Sequence, residues 1–160
     1  MKMTVISYRD WILNVDSTLT RATYANVKNG IADGCECFDC KNYVLNRDNA
    51  FPAEIKVLFD QLGIDYKREN EVSRMCKHED ELHLYCGFFH FKGSFEGQNC
   101  TVPIPETSQY TLFMTSVNEN FSIGFRYEKS LAYFEDDNDL VQVEFEVKLP
   151  WVISKENESD

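Results

Sequence analysis

The sequence predicts an α+β fold in which an N-terminal hairpin and about three helices pack on a mainly antiparallel sheet. Helical spacing of apolar residues dominates the first 65 residues, and strand-like alternation dominates residues 70–150. The 160 residues are typical of one domain, and 43% of them are apolar, which is enough for an independent core. We therefore expect a single domain over residues 1–153, followed by a frayed acidic tail over residues 154–160.

The first predicted elements are the two strands of the hairpin. Residues 4–7 and 11–15 are rich in residues that favour strands, and Tyr8-Arg9-Asp10 can form the turn between them. We expect this hairpin to lead directly into the helical part of the chain.

Three helices are predicted before Asp65. Either Asp16 or Ser17 can cap the first helix, and Pro52 is well suited to the first turn of the third. Apolar residues recur at helical spacing in the third helix, and Gly63 is expected to end it. The expected ranges are 19–28, 38–47 and 52–62.

The remaining elements are predicted strands. The strand over 82–92 is apolar on both faces, which is typical of a central strand covered on both sides. In the strand over 141–149, Gln142 and Glu144 belong to a set of alternating polar residues that predicts one wet face. A loop is expected over 93–99. The other expected strands cover 72–77, 110–117 and 121–127.

A set of large apolar residues on these elements is predicted to form the core. Truncating a buried member to alanine is expected to cost about 2–5 kcal/mol. The set consists of Trp11, Leu58, Leu62, Leu84, Phe88, Val143 and Phe145.

The charge of the chain is concentrated in its second half. The formal net charge is −11, and residues 81–160 hold five Lys and Arg against fourteen Asp and Glu. Such a charge repels nucleic-acid phosphates and anionic membrane surfaces, so we expect neither as a partner. A basic protein is the partner that this charge favours.

The six cysteines are expected to be reduced. The N-terminus lacks the apolar run of a signal peptide, and no run reaches the ~18 residues of a membrane span, so a cytoplasmic location is expected. Free thiols or metal ligands are then more plausible than disulfides.

Three of these cysteines form the clearest chemical motif. Cys35, Cys37 and Cys40 are spaced so that their thiolates could converge on a soft ion such as zinc. The alternative interpretation is a helix-entry turn in which Cys40 packs as a small apolar residue. Zinc sites usually show two paired motifs and this chain shows one, so we expect narrowly that no metal is bound. The three cysteines are the only metal candidates, and a redox role is the weaker alternative.

A zinc ion would need a fourth ligand from elsewhere in the chain. The sequence does not rank the candidates by distance. Two of them, His83 and His90, are seven residues apart on one predicted strand, so they are expected on opposite faces. The candidates are His78, His83, His90, Cys76, Cys86 and Cys100.

Several segments resemble a group of bacterial proteins of similar length. The most specific is Cys35-x-Cys37-x-x-Cys40-x-Asn42, and the last is Glu144-Phe145-Glu146-x-x-x-Pro150-Trp151-Val152. Between them lie Pro52, Leu62-Gly63-Ile64-Asp65 and Leu82-His83-Leu84-Tyr85-x-Gly87-x-Phe89-His90-Phe91. The resemblance implies a bacterial, cytoplasmic origin, and it implies no activity or catalytic residue.

These observations predict a non-catalytic protein-interaction module with an acidic face, similar in composition to small immunity or inhibitor proteins. The motifs of hydrolases and nucleotide-binding proteins are absent from the sequence. The acidic run Glu135-Asp136-Asp137-Asn138-Asp139 lacks the central glycine of a calcium loop, so it is interpreted as a solvated turn. The alternative function is that of a zinc-stabilised protein that uses the cysteine cluster.

Overall fold

The computed structural model describes residues 2–160 and confirms the predicted α+β class. Every ladder pairing between its strands is antiparallel, and the main sheet has seven strands. The strand order is β1-β2-β4-β9-β8-β7, and β3 also pairs with β4. The strands are β1 Thr4–Tyr8, β2 Trp11–Val15, β3 Glu71–Lys77, β4 His83–Glu96, β5 Thr101–Pro103, β6 Tyr110–Leu112, β7 Thr115–Asn118, β8 Phe121–Tyr127 and β9 Leu140–Leu149.

The three helices are α1 Ser17–Ala25, α2 Phe38–Ala50 and α3 Ala53–Leu62. Asp16 caps α1 by accepting a hydrogen bond from the backbone N–H of Leu19 at 3.0 Å. Gly63 ends α3 in the left-handed conformation with φ of +89°, as expected, and a side chain there would meet the backbone of Ser17 at 2.7 Å.

Helices α1 and α2 differ in extent from the predicted ranges, and α1 begins at Ser17 instead of residue 19. Helix α1 ends at Ala25 instead of residue 28, because the chain turns away at Asn26 and Arg68 Nε binds the carbonyl oxygen of Val27 at 3.1 Å. Helix α2 continues three residues beyond residue 47 and ends at Ala50, because the next residue, Phe51, precedes a proline and is extended.

The predicted loop over 93–99 is wrong, because β4 continues to Glu96. Gly93 has φ of +152° and lies so close to the backbone of Asn14 that no side chain would fit. Strand β4 pairs with β3 over residues 83–88 and, from Gly93 onward, with β2 over residues 93–96. The glycine permits the close approach of β2 that this second pairing requires. The predicted strand over 110–117 is also wrong in extent, because it divides into β6, which pairs with β5, and β7, which pairs with β8.

The two faces of the sheet differ in what covers them. Helices α2 and α3 pack on the face that carries Tyr85, Phe89 and Phe145, which we call the helical face. The opposite face carries Phe88, Gln142 and Glu144, and we call it the groove face. It is partly covered by the β5-β6 ribbon, whose Cys100 lies against Gly124 of β8.

The predicted core is confirmed for five of its seven residues. Trp11, Leu58, Leu62, Val143 and Phe145 are buried. Leu84 and Phe88 are only half-buried, because they lie on the groove face of β4 where no helix covers them. The prediction of a wet face on β9 is wrong in the same region, because Gln142 and Glu144 are buried.

The last residues fold back onto the domain, although the sequence predicts a frayed tail. They form a 3₁₀ turn over Lys155–Asn157 and then contact the sheet and α2. Glu158 Oε2 lies 2.7 Å from Nε2 of His83, and Ser159 Oγ donates to Asp39 Oδ1 at 2.6 Å. Among residues 2–160, no helix has both the length and the apolar composition that crossing a bilayer requires.

Candidate functional site

The cysteine cluster lies at the junction between a 3₁₀ turn, Ile31–Gly34, and the first turn of α2. Cys35 follows the turn directly, and Cys37 is the N-cap residue of α2. The Cys37 sulfur accepts a hydrogen bond from the backbone N–H of Cys40 at 3.4 Å, the role that a serine or aspartate oxygen usually has at this position. The N-capping arrangement therefore brings Cys37 and Cys40 to the same end of one helix.

The three sulfurs lie close enough to share one ion. They are all within 4.8 Å of one another, and Sγ of Cys35 lies 3.2 Å from Sγ of Cys37. Zn–S bonds of ~2.3 Å in a tetrahedron place ligand sulfurs ~3.8 Å apart, which falls inside this range. The packed-thiol interpretation expects scattered sulfurs, so the observed spacing favours the metal-binding alternative. Cys37 is exposed and the other two thiols are half-buried, so an ion can reach them from solvent.

A buried ion-pair network fixes the position of the turn that precedes the cluster. Arg47 of α2 contacts Asp33 at 3.1 Å and Glu69 at 3.1 Å, and Glu69 is fully buried. Glu69 Oε2 also accepts the backbone N–H of Ala32 at 3.1 Å. Because one arginine of α2 binds the turn through two carboxylates, Cys35 is held against the helix that carries the other two cysteines.

Asn42 attaches the same helix to the end of β9. Its Nδ2 donates to the carbonyl oxygen of Pro150 at 3.1 Å, and its Oδ1 accepts the backbone N–H of Val152 at 2.8 Å. Tyr85 OH completes the contact by donating to the carbonyl oxygen of Asp39 at 2.7 Å. Two of the segments that carry the sequence resemblance, around Asn42 and around Pro150, therefore meet in space and support the helix that presents the cysteines.

The thiols of the cluster differ in acidity. Hydrogen bonds from the Cys40 thiol, and then from the backbone and thiol of Cys37, lower the pKa of Cys35. Burial, followed by hydrogen bonds with the thiols of Cys35 and Cys37, raises the pKa of Cys40. The thiolate is the form that binds metal, so of these two thiols Cys35 is the one more readily converted to a ligand.

None of the predicted fourth ligands joins the cluster among residues 2–160. His83 is buried, and its ring is engaged by Glu158 on one nitrogen and by Arg74 on the other, at 2.7 and 3.3 Å. Cys100, the residue before β5, is buried against Gly124 of β8, and Cys86 lies on the groove face. The cluster thus offers three sulfur ligands and leaves a fourth position to water or to a group from another molecule.

A second polar site, which sequence reasoning missed, lies on the groove face. Nε2 of the buried His90 is 2.9 Å from Oε1 of Gln142, whose Nε2 donates to Oε1 of Glu144 at 2.7 Å. The same Glu144 oxygen lies 3.7 Å from Nη1 of Arg126. The chain of contacts crosses β4, β9 and β8, so its members are far apart in sequence. The signal in the sequence was the polar residues at alternate positions of β9. The alternation pattern predicted that they face solvent, whereas Gln142 and Glu144 are buried.

Burial shifts the titration of two members of this network. It lowers the pKa of His90 to about 4, so the ring is neutral at pH 7. It raises the pKa of Glu144, and the hydrogen bond from Gln142 and the charge of Arg126 oppose this shift. Nδ1 of His90 and Nε of Arg126 are buried without a hydrogen-bond partner within residues 2–160.

Comparison with protein families, with curated proteins and with solved structures finds no match to this chain. The resemblance described from the sequence therefore stays a prediction. The geometry of the two sites is the basis for the proposals that follow.

Proposed function

We propose that this protein binds a soft metal ion, zinc in the first instance, through Cys35, Cys37 and Cys40. The observation that carries the proposal is the gathering of the three sulfurs within 4.8 Å of one another. A reducing bacterial cytoplasm, the location we also propose, would keep these thiols free to bind. The ion would hold the 3₁₀ turn to the N-terminus of α2 and would leave one position open to an outside ligand.

Cobalt titration tests this proposal, because thiolate-bound Co²⁺ gives an absorption band that unbound Co²⁺ lacks. We expect saturation at one equivalent in the unaltered protein and loss of the band in Cys37→Ser. Cys76→Ser is the matched control, since Cys76 is exposed and lies outside the cluster. We also expect a chelator to speed hydrogen exchange over residues 34–41, because binding and local folding are coupled. No band, or equal loss in the control, would contradict the proposal.

We propose as a second function that the protein is a non-catalytic interaction module for a basic protein. Residues 81–160 carry a net charge of −9. The loop before β9 exposes Glu135, Asp136, Asp137 and Asp139, and lysines pair with only two of these within residues 2–160. This charge favours a basic protein over a nucleic acid. The metal site is compatible with this function, because an ion could stabilise a binding scaffold.

Affinity capture with the immobilised protein tests the second function. We expect a basic protein to be retained at low ionic strength and to be released as salt screens the contact. The double variant Glu135→Gln with Asp139→Asn removes the two exposed charges that no lysine pairs with, and it should weaken capture. Lys155→Gln, which removes an exposed charge of the opposite sign, should not. Capture of nucleic acid instead of protein, or capture insensitive to salt, would contradict this function.

A further inference from the structure

A row of three side chains crosses the groove face at right angles to the strands. Glu71 of β3 is opposite Phe88 of β4, and Phe88 is opposite Glu144 of β9. Neighbouring strands are ~4.8 Å apart, so the two glutamates flank one aromatic ring with about 10 Å between their backbones. An aromatic ring between two carboxylates is an arrangement that attracts an organic cation.

Glu144 is the buried end of this row. It is 9% exposed, and its Oε1 atom accepts the hydrogen bond from Gln142. Its Oε2 atom has no hydrogen-bond partner among residues 2–160, although the side chain lines a groove. This oxygen is not enclosed by the protein, so a donor that enters the groove can reach it.

The groove has a volume of ≈ 380 Å³ and combines negative charge with apolar walls. Met75 of β3 and Leu112 of β6 form apolar parts of its lining. Its lining holds three carboxylates, those of Glu71, Glu128 and Glu144, and one cation, Arg126.

Arg126 is already engaged. Its guanidinium donates to Tyr110 OH at 2.8 Å and lies 4.6 Å from the centre of that ring. Its Nη2 is 3.4 Å from Glu128, and its Nη1 is 3.7 Å from Oε1 of Glu144. One cation thus serves both Glu128 and Glu144, and Glu71 forms no ion pair among residues 2–160, so the groove keeps an excess of negative charge.

We propose that this groove binds a lysine or arginine side chain from a basic peptide segment, with the charged group seated over Phe88 between Glu71 and Glu144. This assignment rests on the second proposed function and gives it a location. The apolar stem of such a side chain would lie against Met75 and Leu112, and its N–H groups would reach the unused oxygen of Glu144. A neutral or anionic side chain would gain neither contact.

The edge of the sheet indicates a peptide as the source of the cation. Within residues 2–160, β3 pairs only with β4, so no strand occupies its other edge, where an extended segment beside the groove would add backbone hydrogen bonds. A free amine would use the carboxylates alone, whereas a peptide can use both the carboxylates and the strand edge.

The test uses short peptides as probes. Ac-Gly-Arg-Gly-NH₂ and Ac-Gly-Lys-Gly-NH₂ are titrated into isotopically labelled protein, with the citrulline peptide as the neutral control and agmatine as the free cation. We expect saturable shifts of Phe88 and Glu144 resonances with the two basic peptides, tighter binding than agmatine shows, and no saturation with citrulline. Glu71→Gln and Glu144→Gln should each weaken binding at least tenfold. Glu119→Gln is the matched control, because Glu119 is exposed in the β7-β8 turn.

Each outcome decides the assignment. Equal binding of the citrulline peptide, equal binding of agmatine, or losses no larger than in Glu119→Gln would overturn it. Thermal melting of the variants identifies any loss of binding that comes from misfolding. Ser73→Lys places a cation in the lining of the same groove, so it should prevent binding of the basic peptides without changing either glutamate. If capture of a basic partner persists in Glu71→Gln and Glu144→Gln, the second proposed function stands and only this location fails. If no basic partner is captured, the function itself fails.

Discussion

The two faces of the central sheet are built from the same strands and have opposite chemistry. On β4, Phe89 lies on the helical face, with its ring 5.0 Å from that of Phe59 and 5.6 Å from that of Phe145. The next residue, His90, lies on the groove face in a chain of hydrogen bonds to Gln142 and Glu144. Two consecutive residues of β4 therefore belong to different environments, Phe89 to an apolar core and His90 to a buried polar network. Burial alone does not distinguish them, since Phe89 and His90 are both 0% exposed.

The largest expected effect separates the faces by their packing. Phe145→Ala should lower the free energy of unfolding by about 3–5 kcal/mol, because it leaves a cavity among the rings of Phe51, Phe89 and Phe121. Leu84→Ala on the groove face should cost only about 1 kcal/mol, since Leu84 is half-buried and no helix packs on it. Chemical denaturation of both variants measures the difference.

Equal costs at the two sites would show that the groove face is packed as tightly as the helical face. The expectation from the sequence, which gave Leu84 and Phe145 the same cost, would then be right and the contrast between the faces would be lost. A change in the slope of the denaturation curve would point instead to an altered unfolded state, so slopes are compared before free energies.

The second prediction uses pH to detect the buried histidine. The pKa of His90 is lowered by burial to about 4 from its ordinary value of 6.5, so the fold favours the neutral ring. Its contribution is complete above pH 6.5 and is lost as pH falls toward 4, by about 3 kcal/mol in total. In His90→Gln this part of the acid sensitivity should disappear, because glutamine has no proton to gain.

The measurement is the free energy of unfolding of both proteins at several pH values between 7 and 4. A chelator is present throughout, so that release of metal from the cysteines does not contribute to the slope. Parallel curves for the two proteins would mean that His90 takes up a proton without cost in the fold, and the groove face would then be more open to water than its burial indicates.

The sequence predicts the helical face well because its signals are local. Apolar spacing marks α3, Gly63 marks its end, and three cysteines within six residues mark the candidate metal site. The groove face draws on residues from β3, β4, β8 and β9, which only the pairing of strands brings together. Alternation along β9 distinguishes two faces but does not show that the polar one is covered. Gly93 is a similar case, because a glycine inside a strand pattern is compatible with a loop until the approach of β2 is known.

The smallest expected effect is the change in stability of Glu144→Gln, a variant that also tests binding on the groove face. Burial raises the pKa of Glu144, so the ionised carboxylate is disfavoured in the fold. The contribution of this group to stability is therefore complete below its ordinary pKa and is lost as pH rises through the higher folded value. Glu144→Gln should accordingly raise the free energy of unfolding at pH 7, by less than about 1 kcal/mol, and have no such effect at pH 4.

The same substitution is the one expected to weaken binding of a basic peptide at least tenfold, and the two results together discriminate between roles for Glu144. A carboxylate that serves only the fold should lower stability when it is neutralised, because Gln142 and Arg126 would lose a charged partner. A carboxylate kept for an incoming cation should cost stability while the groove has no ligand, and its removal should stabilise the protein as it abolishes binding. Denaturation of Glu144→Gln at pH 7 with and without Ac-Gly-Arg-Gly-NH₂ measures both quantities in one series. A variant that is less stable and binds the peptide unchanged would show that Glu144 serves only the stability of the fold. The two faces would then no longer differ in their role.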